Sequence, residues 1–118
     1  MTFKKSTFNI VVITKVRNCK PIDYEIKTVD GWIDSTNTYG FYKKLKYNTK
    51  TIYYWYATDL ATGTYICKNN TRANCVKWIE KNIKRIEDRK KSDRYRELLF
   101  IKNTLDLKVY PQEVCENV

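Results

Sequence analysis

Tyr53-Tyr54-Trp55-Tyr56-Ala57-Thr58, then Asp59-Leu60-Ala61-Thr62-Gly63 and Thr64-Tyr65-Ile66-Cys67, is the stretch whose reading decides the fold. The first six residues are aromatic or β-branched apart from Ala57, the composition of a strand. Gly63 can take positive φ without a Cβ clash, so residues 59–63 read as a turn and 64–67 as the returning strand. Strand alternation puts Tyr54 and Tyr56 on one face of this hairpin and Trp55 and Ala57 on the other.

Directly after it, Asn70 or Thr71 can cap a helix by accepting a bond from a free backbone N–H. Ala73, Val76, Ile79, Ile83 and Ile86 recur at helical spacing and predict one apolar stripe on one basic helix. Lys77, Lys81, Lys84, Arg85 and Lys91 fall on its opposite face. Glu80 to Lys84 and Glu87 to Lys91 have i,i+4 spacing, expected to add about 0.2–0.5 kcal/mol per pair.

Upstream, the apolar run Phe8-Asn9-Ile10-Val11-Val12-Ile13 predicts a buried strand, with a turn at 18–21 and a second strand over 23–29. Asp30-Gly31 is a further turn signal. Tyr39-Gly40-Phe41-Tyr42 predicts another strand, with Gly40 marking a bulge or a close backbone approach. Lys43, Lys44, Lys46 and Lys50 then crowd around Leu45 and Tyr47 in what reads as a solvated basic loop. Downstream, Ser92 is placed to cap a second helix whose apolar side is Tyr95, Leu98, Leu99, Ile101 and Leu105. Alternation over 105–109 suggests a last short strand, and 112–118 a frayed tail. The fold class expected is α+β: a small antiparallel sheet of three to five strands against one long basic amphipathic helix and a second, C-terminal helix. The 118 residues make one domain.

Composition narrows function more than any motif does. The chain carries 23 Lys and Arg against 13 Asp and Glu, a net charge of +10, and 14% of it is aromatic. Such an excess favours polyanionic partners. Histidine is absent, which removes the usual general base and the commonest metal ligand. Three glycines cannot build a phosphate-binding or dinucleotide-binding loop, so neither an enzyme nor a cofactor is expected. The cysteines at 19, 67, 75 and 115 lack zinc-ligand spacing. They read as reduced thiols of a cytoplasmic protein, Cys67 and Cys75 packing as small hydrophobes. No apolar run approaches the roughly 20 residues of a membrane span. Asn69-Asn70-Thr71 fits a glycosylation acceptor, but capping explains those residues better.

The positive signal is charge interleaved with aromatics. Arg72 through Lys102 holds eleven basic and five acidic residues. Tyr54, Tyr56 and Tyr65 are expected to form an open aromatic face near Lys68, with Lys43, Lys44, Lys46, Lys68 and Arg72 placed to neutralise phosphate. A β-ribbon can enter the major groove, and aromatics can stack on single-stranded bases. The alternative for the tyrosines is a sheet face covered by a helix.

Tyr39-Gly40-Phe41, Trp55-Tyr56-Ala57-Thr58-Asp59-Leu60, Thr62-Gly63 and Thr71-Arg72 opening a helix resemble small phage and mobile-element proteins. The same hairpin, turn and Thr-capped helix is similar to the arm-type, AP2-like DNA-binding domains of tyrosine recombinases. The resemblance covers less than half of the chain, and no catalytic recombinase domain accompanies it. It implies a binding module that takes DNA or RNA. The alternative is an inhibitor that docks its basic surface on an acidic patch of a host defence complex, of the anti-CRISPR type.

Overall fold

Two 15-residue strands, β1 (Phe3–Arg17) and β2 (Lys20–Asp34), open the chain as one long antiparallel hairpin. The computed structural model describes residues 1–109; the tail expected over 112–118, and Cys115, lie outside the described residues. Asn18 and Cys19 close the hairpin with φ of 51° and 61°, the left-handed pair that matches the twist of a two-residue turn. β3 (Tyr39–Leu45), β4 (Tyr53–Asp59) and β5 (Thr64–Asn69) follow, giving a five-stranded antiparallel sheet in the order β1-β2-β3-β4-β5. The fold is α+β, with strands first and helices after.

The β1–β2 hairpin is longer than its apolar run suggested, and the expected turn at Asp30-Gly31 does not exist. Gly31 lies inside β2 because a Cβ there would stand 2.1 Å from the Phe41 carbonyl oxygen. The residue marks a close crossing of strands. Gly40 plays the second of its two expected parts, a close approach: the Phe8 ring sits 2.7 Å from where its Cβ would be. β2 and β3 pair only at Trp32–Phe41 and Ile33–Gly40 before they diverge. β3 and β4, by contrast, pair along their full length, Tyr39–Asp59 to Leu45–Tyr53. Lys43 and Lys44 therefore belong to β3; only Lys46 and Lys50 fall in the connecting loop.

The core lies between β3–β4–β5 and the first helices, built from Tyr39, Phe41, Ala57, Cys67, Cys75, Ile79 and Ile86. α1 (Arg72–Lys81) starts at Thr71, whose hydroxyl accepts from the Asn74 N–H at 3.1 Å. The single long helix of the sequence reading is two. Asn82 leaves helical geometry at φ −112°, and its side-chain amide donates to the Trp78 carbonyl at 2.8 Å, competing with the backbone ladder. α2 (Ile83–Arg89) then restarts. The break turns Ile83 outward, so the buried stripe is Cys75, Ile79 and Ile86. Neither the Glu80–Lys84 nor the Glu87–Lys91 ion pair forms: among the described residues all three salt bridges lie within the last helix.

That helix, α3 (Asp93–Val109), is capped by Ser92, whose Oγ accepts from the Tyr95 N–H at 3.1 Å. The strand expected over 105–109 is instead its last turns, held in part by a Lys102–Asp106 pair at 2.7 Å. Tyr95 anchors α3 to the sheet. Its hydroxyl donates to the buried Asp59 carboxylate at 2.7 Å, beside a second bond from Thr62 at 2.8 Å. Burial and that carboxylate push the Tyr95 phenol well above its ordinary range, so it stays a donor at any physiological pH. No helix among the described residues is long and apolar enough to cross a membrane.

Candidate functional site

Directly paired residues of an antiparallel ladder share a face. Register therefore sorts the cations and aromatics of β3, β4 and β5. Tyr42, Tyr56 and Lys68 form one row, and Lys44 and Tyr54 the next. On the opposite face Lys43 pairs with Trp55 and Phe41 with Ala57, the row on which α1 packs. Tyr54 and Tyr56 thus lie on the face away from α1, each half-buried by its neighbours. The helix-covered alternative does not hold for them.

On this face the rings form a continuous run. Phe8 meets Tyr42 edge-on at 6.0 Å, Tyr42 stacks on Tyr56 at 5.3 Å, and Tyr56 meets Tyr65 at 6.2 Å. Burial, together with the adjacent Tyr56, holds the Tyr42 phenol above its usual pKa. At its outer end three lysines gather around one ring. Lys68 Nζ stands 4.9 Å and Lys46 Nζ 5.8 Å from the Tyr54 centroid, and Lys44 is its ladder partner. Each cation over a ring is worth about 0.5–1 kcal/mol at such exposure. The contacts hold the ammonium groups in place without cancelling their charge.

Lys43 and Arg72 lie on the other side. Lys43 Nζ is 5.6 Å from the Tyr53 ring and 5.5 Å from Trp55. The Arg72 guanidinium sits among three rings, 4.4 Å from Phe3, 5.0 Å from Trp32 and 5.8 Å from Trp55. The seven residues marked by the sequence are therefore not one patch. Five share the tyrosine face and two flank a groove of about 700 Å³ between the sheet and α1, with Lys77 and Glu80 on its helical wall.

Sequence reasoning missed Phe3 and Trp32. Phe3 lies ahead of the apolar run that starts at Phe8, and Trp32 follows the Asp30-Gly31 turn signal, which is no turn in the fold. Tyr42 reads from the sequence as a strand residue without a role. The signal that could have found Trp32 is its register with Phe41, which requires β2 to run through Gly31.

The local charge is one-sided. Residues 40–72 hold Lys43, Lys44, Lys46, Lys50, Lys68 and Arg72 against a single carboxylate, Asp59. Asp59 is buried, engaged by Thr62 and Tyr95, and six residues from Tyr53 along β4, about 20 Å away. Among the described residues none of the six cations has a carboxylate within salt-bridge distance. No group of three or more possible metal ligands occurs among the described residues. Cys67 and Cys75 are buried free thiols; the neighbouring Cys75 side chain and burial push the Cys67 thiol up, which leaves it unreactive. The chain matches no family model, no curated protein and no solved structure.

Proposed function

We propose that this protein is a small nucleic-acid-binding module without catalytic activity, and that the β3–β4 hairpin with its neighbour β5 is the binding element. One observation carries the reading. The β3–β4–β5 region carries six cations with no salt-bridge partner among the described residues, and three of them, Lys44, Lys46 and Lys68, lie with Tyr54 and Tyr56 on the face that α1 leaves uncovered. Lys44, Lys46 and Lys68 would meet phosphate on the tyrosine face, with Tyr54 and Tyr56 against sugars or bases. Lys43 and Arg72 would extend the contact around the edge of the sheet. The charge supplies affinity without sequence information, and the rings supply the selectivity.

The test is a titration of a fluorescent 20-base-pair duplex against the full chain at several salt concentrations. Six phosphate contacts give a slope of log affinity on log salt of about −5. A flat response overturns the proposal. Exposed Leu45, Tyr47, Ile52 and Tyr53 at the hairpin tip favour a second reading, docking on an acidic protein surface. Capture of a defined acidic protein that survives nuclease treatment, with no salt-dependent duplex binding, is the result that reading requires.

A further inference from the structure

β2 and β3 share only two register pairs, Trp32–Phe41 and Ile33–Gly40, and then part. A hollow of about 290 Å³ opens where they diverge, lined by Lys5, Asp30, Gly31, Trp32, Tyr42, Lys43 and Trp55. The larger groove beside α1 is lined by Phe3, Trp32, Lys43, Trp55 and Arg72 among others. Trp32, Lys43 and Trp55 belong to both. Tyr42 brings the tyrosine face to the rim of the first hollow, and Arg72 stands in the second. The two hollows thus adjoin along Trp32, Lys43 and Trp55 and make one partly aromatic cleft, with Tyr42 at one end and Arg72 at the other.

We infer that this cleft takes an unpaired nucleotide, so that the protein recognises a junction between duplex and single strand. The inference rests on the reading proposed above and names its preferred form of nucleic acid. Two features point there. First, Trp32, Tyr42 and Trp55 bring three rings to the smaller hollow, stacking on such rings tolerates any base, and a space of about 290 Å³ is too small for a duplex. Second, Lys43 and Arg72 approach the same Trp55 ring from 5.5 and 5.8 Å with no carboxylate at salt-bridge distance among the described residues. Two cations held beside one ring draw in an anion, and a nucleotide brings a phosphate and a stacking base together. Blunt duplex would reach the lysines around Tyr54 but would leave the cleft empty.

The experiment compares a blunt 20-base-pair duplex with the same duplex carrying a five-nucleotide single-stranded overhang, as DNA and as RNA, at one salt concentration. The overhang carries 2-aminopurine, whose fluorescence falls when it stacks on an indole. The expected result is roughly tenfold tighter binding of the overhang form, within the range of one base–aromatic stack, together with quenching. At 0.1 M salt Lys43→Gln and Arg72→Gln should each weaken blunt-duplex binding by the roughly eightfold of one lost phosphate contact, and should weaken overhang binding further, so that most of the tenfold preference disappears. Lys43 is exposed, so its variant does not depend on repacking. Equal affinity for blunt and overhang duplexes overturns the cleft while salt-dependent blunt binding leaves the proposed function standing. An overhang preference untouched by both substitutions overturns this location. Absence of binding to every probe overturns both readings.

Discussion

Replacing Lys44, Lys46 and Lys68 together by glutamine separates a localised binding surface from a merely basic protein. All three gather around Tyr54 on the face away from α1, and none has a salt-bridge partner among the described residues whose loss would disturb the fold. Each phosphate contact adds about 0.9 to the slope of log affinity on log salt. Halving six contacts should therefore move the slope from about −5 to about −3. At 0.1 M salt the same three contacts account for about 2.7 decades of affinity, or about 3.7 kcal/mol. Anisotropy titrations of a labelled duplex between 0.05 and 0.4 M salt read both quantities. The control is the triple variant Lys15→Gln, Lys20→Gln and Lys27→Gln, which removes equal charge from exposed positions on the β1–β2 hairpin. Its slope should stay near −5. If the two variants lose affinity equally, binding follows net charge alone and the tyrosine face has no special part.

Three further outcomes follow from the fold. Tyr95→Phe deletes the hydroxyl that ties α3 to the buried Asp59 carboxylate, and should cost about 2 kcal/mol in urea denaturation; a loss below about 0.5 kcal/mol would refute the anchor. Thr71→Ala should destabilise by about 1 kcal/mol while Thr71→Ser does not, because the serine hydroxyl can still accept from Asn74 N–H. Asp34 is buried, which raises its pKa, yet bonds from the Thr36 hydroxyl and the N–H groups of Tyr39, Thr38 and Thr36 outweigh this and hold it below its ordinary 3.8. A depressed folded-state value means stability that is present above the unfolded pKa and lost as pH falls through the folded one. The stability difference between wild type and Asp34→Asn should hence be constant above about pH 5 and shrink below about pH 4; a difference independent of pH would contradict it.

Local chemistry made the hairpin-helix unit legible. Tyr53 to Thr58 is β-rich, Gly63 sits at φ 67° in the turn, and Thr71 caps α1. Ser92 announced α3 in the same way. What failed depended on contacts and continuations that composition and periodicity do not register. Asp30-Gly31 has the composition of a turn, and only the Phe41 carbonyl pressed against Gly31 explains why a strand needs glycine there. The stripe through Ile79, Ile83 and Ile86 looks unbroken because Asn82 disrupts the helix by a side-chain bond to Trp78 that periodicity does not register. Leu105, Leu107 and Val109 alternate like a strand, but a helix already running from Asp93 simply continues through them. The candidate site was half legible: alternation separated Tyr54 from Trp55, while the face of Lys43 and the position of Arg72 required the register of β3 and the packing of α1.

The sheet is in effect two ribbons, β1–β2 and β3–β4–β5, fastened where Trp32 and Ile33 meet Phe41 and Gly40, and again where the Val11 N–H donates to the Gly63 carbonyl at 2.9 Å. All three glycines of the chain stand at these fastenings: Gly31 under the Phe41 carbonyl, Gly40 under the Phe8 ring, and Gly63 within 3.0 Å of the Val11 nitrogen. A methyl group at any of them would act as a wedge between the ribbons. The seam accordingly has no slack, and the angle at which the two ribbons splay is governed by three absent side chains.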